Sequence, residues 1–179
     1  MSIREKYEEH GADEYYRKFG DDYRNPHEPE IQDVISEALK TWPLDLSNVL
    51  DLAAGSGEVT LALADHHDGK ITGIDPFTAG AYAQRTGKPA EKFDFAQIAA
   101  GVLEGRRYSL IVCSFALHLC EPSRLPALAY RLAQISNNLL IITPHKRPHI
   151  DREWGWELVG EFVRHRVRAR FYRAMTPDA

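Results

Sequence analysis

Several things are scarce in this chain, and each scarcity removes a class of protein. Two cysteines, Cys113 and Cys120, occur in 179 residues, so no disulfide framework holds the fold together. Both lie in or beside an apolar segment, which suits free thiols in a reducing, cytoplasmic compartment better than a Cys113–Cys120 bridge. No apolar run approaches the roughly 20 residues that cross a bilayer, so no membrane partner is expected. The start, Met1-Ser2-Ile3-Arg4-Glu5-Lys6, is charged, and no signal peptide is expected either. Positive charge is in deficit: 22 Lys and Arg against 26 Asp and Glu leave a net charge of −4. Generic affinity for nucleic acid does not follow from such a balance.

What is present has a rhythm. A hydrophobic fraction of 44% and a charged fraction of 27% belong to a globular protein, and the length fits one domain over residues 1–179. Residues 1–43 read as an N-terminal helical lid segment in which Tyr7, Tyr15, Tyr16, Phe19 and Tyr23 stand among charges, broken by Gly11 and Gly20. Residues 28–40 predict a helix with Ile31, Val34, Ile35, Ala38 and Leu39 on one face. Through the core, residues 45–173, strands at 49–52, 71–74, 91–95, 108–114 and 139–143 alternate with helices at 58–64, 78–85, 96–103 and 125–135. That alternation predicts a parallel sheet covered on both faces. The prolines between residues 144 and 155 forbid a long helix there. Residues 156–163 and 167–172 then read as strands, although Arg164, His165 and Arg166 between them carry no turn signal.

The core is organised around residues 48–64, NVLDLAAGSGEVTLALA. Val49 and Leu50 lead into Asp51, then Ala53, Gly55 and Gly57 fall at alternate positions and a helix follows. Small residues and the free N–H groups of a helix start suit a nucleotide-like ligand. A pyrophosphate site needs a third glycine where Thr60 stands, and Asp51 would repel phosphate. A carboxylate suits a cation, which favours S-adenosylmethionine, with its ammonium and sulfonium, over NAD. The pattern Asp51-x-Ala53-x-Gly55-x-Gly57 resembles the first motif of class I S-adenosylmethionine-dependent methyltransferases, with Ala53 where many members carry glycine. The resemblance implies an α/β Rossmann-like three-layer sandwich, its mostly parallel seven-stranded sheet ending in an antiparallel strand.

Ligands of open α/β sheets bind outside the carboxyl ends of the strands. The second strand delivers Asp75 and Pro76, an acid placed for both ribose hydroxyls; its competing role is a helix cap. The third delivers Asp94 and Phe95, suited to an adenine amino group and ring, with capping again the alternative for Asp94. The fourth ends in Cys113-Ser114-Phe115-Ala116-Leu117-His118. Ser114 falls on the cofactor side, and His118 is the candidate general base, unless it is simply packed near a helix start. Tyr16 is the second catalytic candidate, because the rings of Tyr15, Tyr16 and Tyr23 would attract a sulfonium. Tyr23 and Arg24 join the cofactor set, Arg24, Asn25 and His27 being suited to a carboxylate. The acceptor pocket is expected from the N-terminal segment, His118 and the turn holding His145, His149 and Trp154.

Metal binding is not expected, since His66, His67 and Asp68 occupy a surface turn and Pro148 separates His145 from His149. Arg164, Arg166, Arg168 and Arg170 should share one strand face, either as a phosphate track or, the favoured reading, paired with acids such as Glu157 and Glu161. Ser114-Phe115-Ala116-Leu117 replaces the Asn- or Asp-Pro-Pro-aromatic tetrapeptide of DNA amino-methyltransferases, so DNA is not an expected partner. The sequence therefore points to an S-adenosylmethionine-dependent methyltransferase acting on a small-molecule acceptor. RNA or protein methylation, or non-catalytic S-adenosylmethionine binding, are the alternatives. The acceptor, the atom methylated and the oligomeric state are left open.

Overall fold

Alternation along the central strands sorts the core into two layers. Val49, Val112 and Ile142 face one side with Val34, Ile35 and Leu63. Leu50, Ile111, Cys113 and Ile141 face the other with Leu128 and Leu132. The computed structural model describes residues 11–66 and 68–175, without the side chains of residues 12 and 13. Tyr7 and His67 lie outside the described residues.

The strands are β1 (Asn48–Leu52), β2 (Lys70–Ile74), β3 (Ala90–Glu91), β4 (Leu110–Ser114), β5 (Asn138–Thr143), β6 (Trp156–Arg164) and β7 (Val167–Ala174). They form one seven-stranded sheet in the order β3-β2-β1-β4-β5-β7-β6. β1 pairs in parallel with both β2 and β4, and β7 runs antiparallel to β5 and β6. The order reverses at β1, so a crevice opens where the chain leaves β1 and β4. This is the predicted Rossmann-like sheet with its antiparallel last strand.

The helices follow from spacing and ends. Ahead of the sheet come α1 (Ala12–Phe19) and α2 (Glu28–Thr41), the latter with Pro29 in its first turn and Ile31, Val34, Ile35 and Ala38 buried at helical spacing. α3 (Glu58–Leu63), α4 (Ala79–Thr86) and α5 (Phe95–Ala99) follow β1, β2 and β3. α6 (Leu125–Ile135) has the predicted bounds and buries Leu125, Leu128, Ala129, Leu132 and Ile135. No α-helix joins β5 to β6; a 3₁₀ turn, Arg152–Trp154, precedes β6.

One sequence expectation is corrected. The strand predicted at 91–95 is only Ala90–Glu91, because Asp94 caps α5 and draws Phe95 into a helix. The β6–β7 turn places His165 and Arg166 at φ 50° and 63°, the left-handed pair a tight hairpin needs and side chains resist. Asp33 of α2 holds the turn from below, accepting from Arg164 Nε at 2.6 Å with His165 Nε2 2.7 Å away.

Leu128→Ala should lower unfolding free energy by about 2–5 kcal/mol, since Leu128 is fully buried between α6 and the sheet. Tyr130→Ala, on the exposed face of α6, should change it by no more than about 0.5 kcal/mol. Urea denaturation of both variants checks the pair.

Candidate functional site

Small residues allow the chain leaving β1 to turn sharply. Ala53, Gly55 and Gly57 have φ of 55°, 56° and 91°, and Gly57 N–H donates to Ala54 O at 2.9 Å. The turn is also crowded. A Cβ at Gly55 would stand 3.0 Å from Glu58 Oε2 and 3.2 Å from the Tyr23 ring.

Asp51 lies beneath this turn, 1% exposed. Its Oδ2 accepts from Thr60 Oγ1 at 2.7 Å and Thr60 N–H at 3.2 Å, while Oδ1 is buried and has no partner among the described residues. Thr60, where a dinucleotide site would carry its third glycine, thus holds the carboxylate. Thr60 Oγ1 in turn lies 2.9 Å from the Tyr82 hydroxyl. Burial pushes the Asp51 carboxyl up to about 8, opposed by the Thr60 hydrogen bond and assisted by Glu58 and Asp75.

At the end of β2, Asp75 Oδ1 accepts from the backbone of Phe77 and Thr78, both at 2.9 Å, and Oδ2 accepts from Gly55 N–H at 3.1 Å. The residue therefore both ties β2 to the glycine turn and organises the entry to α4. A carboxylate has roughly four acceptor positions, so room for one further donor is left, on Oδ2, rather than for two. Asp94 spends Oδ1 on the N–H of Gln97 at 2.8 Å in a capping box. Ser114 Oγ, at the end of β4, is buried and has no partner among the described residues.

The N-terminal segment closes over these strand ends. Glu58 is the knot: it accepts from Asn25 N–H and Ser56 N–H, each at 3.1 Å, and from the Ser56 hydroxyl. Arg85 reaches Glu58 at 3.5 Å and Glu28 at 2.6 Å, binding α2, α3 and α4 together. Tyr16 stacks on Phe77 with centroids 6.4 Å apart and meets Tyr23 edge-on at 5.3 Å. Phe115, at φ 55° after β4, stacks on His27 at 5.4 Å.

The predicted site residues line a single cavity, except Gly57, Arg24, His118, Tyr15 and His27. Gly57 shapes the turn from behind. Arg24 turns outward, donating to Tyr23 O at 2.6 Å and to Gln84. The 3₁₀ turn Leu117–Leu119 points Leu119 and Cys120 into the cavity and leaves His118 outside, against His145 at 4.3 Å. Desolvation and His145 hold the His118 imidazole down at about 4. His145, His149 and Trp154 do not line the cavity either, which corrects the expected acceptor wall. Sequence reasoning passed over Glu58, Tyr82, Phe77 and Phe115. Of these only Phe77, next to the acid of β2, carried a local signal.

The arginines do not share a face. Arg164 pairs with Asp33 and Glu37 on the α2 side, and Arg166 sits in the turn. Arg168 and Arg170 both pair with Glu161, at 2.8 and 2.5 Å, and Arg170 is buried with its guanidinium on the carbonyls of Lys146 and Pro148. Among the described residues no three His, Cys, Asp or Glu side chains are grouped to hold a metal, and both cysteines are free and buried. No helix among them is long and apolar enough to cross a membrane.

Glu58→Ala should free the N-terminal segment and raise tryptic cleavage at Arg17, Lys18 and Arg24 roughly tenfold or more, because hydrogen bonds to a charged group are worth about 1.5–3 kcal/mol. Timed digestion read by mass spectrometry checks it.

Residues 49–138 match the family described as Methyltransferase domain. An uncharacterized protein of Schizosaccharomyces pombe is 33% identical over a 228-residue alignment covering 97% of this chain and 92% of that protein. Among solved structures, magnesium protoporphyrin IX methyltransferase from Synechocystis with bound S-adenosylmethionine superposes at TM-score 0.60 and 18% identity, covering 97% of this chain and 95% of its own. The putative methyltransferase complexed with the Trm112 activator of Haloferax volcanii superposes at TM-score 0.65 and 12% identity, covering 99% and 100%.

Proposed function

We propose that this chain, which belongs to the methyltransferase-domain family, methylates a small-molecule acceptor with S-adenosylmethionine as donor. The observation that carries the cofactor reading is the unpartnered Oδ1 of Asp51, a buried acceptor lining the cavity beside the glycine turn. Once ionised, it fits an ammonium and would repel a phosphate. Asp75 Oδ2 would take one ribose hydroxyl, and Asp94 with Phe95 would border the base. Ser114 Oγ supplies a second unused polar atom at the β4 end. When bound, S-adenosylmethionine supplies an electrophilic methyl group on a sulfonium. The chain's part is to hold that ligand, align the acceptor and exclude water. Tyr16 and Tyr23 supply aromatic rings to the cavity wall, attractive to a cation. The outward position of His118 gives no support to its role as base.

The small-molecule reading is supported by the roof over the cavity. Asn25 is fastened to Glu58, and Tyr16 and Tyr23 pack across the strand ends, so the N-terminal segment acts as a partial lid on one catalytic domain. The arginines that would suit a phosphate chain are engaged with Glu161, Asp33 and Glu37.

Calorimetry should show binding of S-adenosylmethionine and S-adenosylhomocysteine, with NAD weaker or absent; a preference for NAD would overturn the reading. Asp75→Ala should weaken S-adenosylhomocysteine roughly 10- to 100-fold. His118→Ala should leave turnover within about twofold once an acceptor is found by screening metabolites with labelled donor.

A further inference from the structure

Asp51 is held asymmetrically. Thr60 gives both its hydroxyl and its backbone N–H to Oδ2, and nothing among the described residues bonds to Oδ1. The Thr60 hydroxyl is itself fixed by the Tyr82 hydroxyl at 2.9 Å. Tyr82 cannot swing away, being fully buried with its ring against Gly73 of β2 and Gly57 of the turn. A hydroxyl that receives a proton from Tyr82 has its own proton directed at Asp51, so the row Tyr82–Thr60–Asp51 has one polarity.

We propose that Thr60 and Tyr82 are positioning residues that fix one oxygen of Asp51 and present the other to the amino-acid end of the cofactor, so that this end of the cavity selects ligands by their ammonium. The inference rests on the cofactor reading above and adds how recognition is achieved. The groups facing Asp51 are Glu58 from α3, Asp75 from β2, Tyr82 and Thr60 from α4 and α3, and Cys113 from β4. All are acids or neutral groups, and among the described residues no cation pairs with the carboxylate.

A pH dependence follows. With its carboxyl at about 8, Asp51 is mostly protonated at pH 7 in the free protein, and an arriving ammonium must displace that proton. Amine-bearing ligands therefore bind more tightly as pH rises toward 8, by about tenfold from pH 6 to 7 and about fivefold from pH 7 to 8, and binding at pH 7 releases close to one proton. A nucleoside without the amine gains nothing from the ionised form.

The test compares S-adenosylhomocysteine with 5′-methylthioadenosine, which lacks the amino-acid end, by calorimetry on the full chain from pH 6 to 8 in two buffers of different ionisation enthalpy. The first should show the slope and the proton release, the second neither. Thr60→Val removes the hydroxyl donor that lowers the Asp51 carboxyl, so S-adenosylhomocysteine should weaken roughly tenfold at pH 7 and its profile should move to higher pH. Tyr82→Phe keeps the ring and removes the hydroxyl, and should move the profile the same way by about threefold. Methylthioadenosine should bind both variants as it binds wild type. Identical pH profiles for the two ligands, equal losses for both ligands in the variants, or unshifted profiles in the variants would overturn the positioning role. If neither ligand binds wild type, the cofactor reading itself falls, and this inference with it.

Discussion

A carboxylate buried at the end of a central strand is costly unless something is built around it. Asp51 sets that condition here, and its neighbourhood is the response. Thr60 donates twice to one oxygen, Tyr82 braces Thr60, and glycines stand wherever the Tyr82 ring or the chain above would otherwise collide. The glycine turn, the close seat of α4 and the empty β2 position at Gly73 are parts of one arrangement. The cavity floor inherits its shape from the requirement to support a single acid while leaving half of it unused.

A second knot holds the roof. Glu58 occupies the first turn of α3, where an acid is ordinarily just a favourable partner for the helix dipole. Here its oxygens gather Asn25, Ser56 and Arg85, and through Arg85 also Glu28. The floor and the roof are therefore fastened to the same short helix, α3. Strain at Ala53 and Phe115, both at φ 55° and both lining the cavity, lies between these two fixed points.

What could be read from the sequence was what repeats or what stands at the end of a strand. α6 was legible to the residue because its apolar spacing and its neighbours agree, and Asp51, Ala53, Gly55 and Asp75 were legible because strand ends in an open sheet converge on one crevice. The short third strand was misjudged where Asp94 could serve either a strand end or a helix cap, and the capping box won. His118 stands outside the cavity because a 3₁₀ turn rotates successive side chains by about a third of a revolution, so its neighbours face the cavity and it does not. Glu58 and Tyr82 carried no local signal. Their importance arises only when residues 25, 28 and 85, or 60 and 73, are brought together by the fold. The β6–β7 turn was hidden for a like reason, since its support comes from Asp33, far away in sequence.

The gap at Gly73 has a further consequence for how the sheet assembles. β2 offers one position with no side chain, and the Tyr82 ring occupies that space. Moving β2 by one residue against β1 would bring Thr72 or Ile74 under the ring and send Ile71 and Ile74 into each other's core layers. The glycine and the tyrosine thus act as a key and its slot: the native seat of α4 is compatible only with the native register of β2.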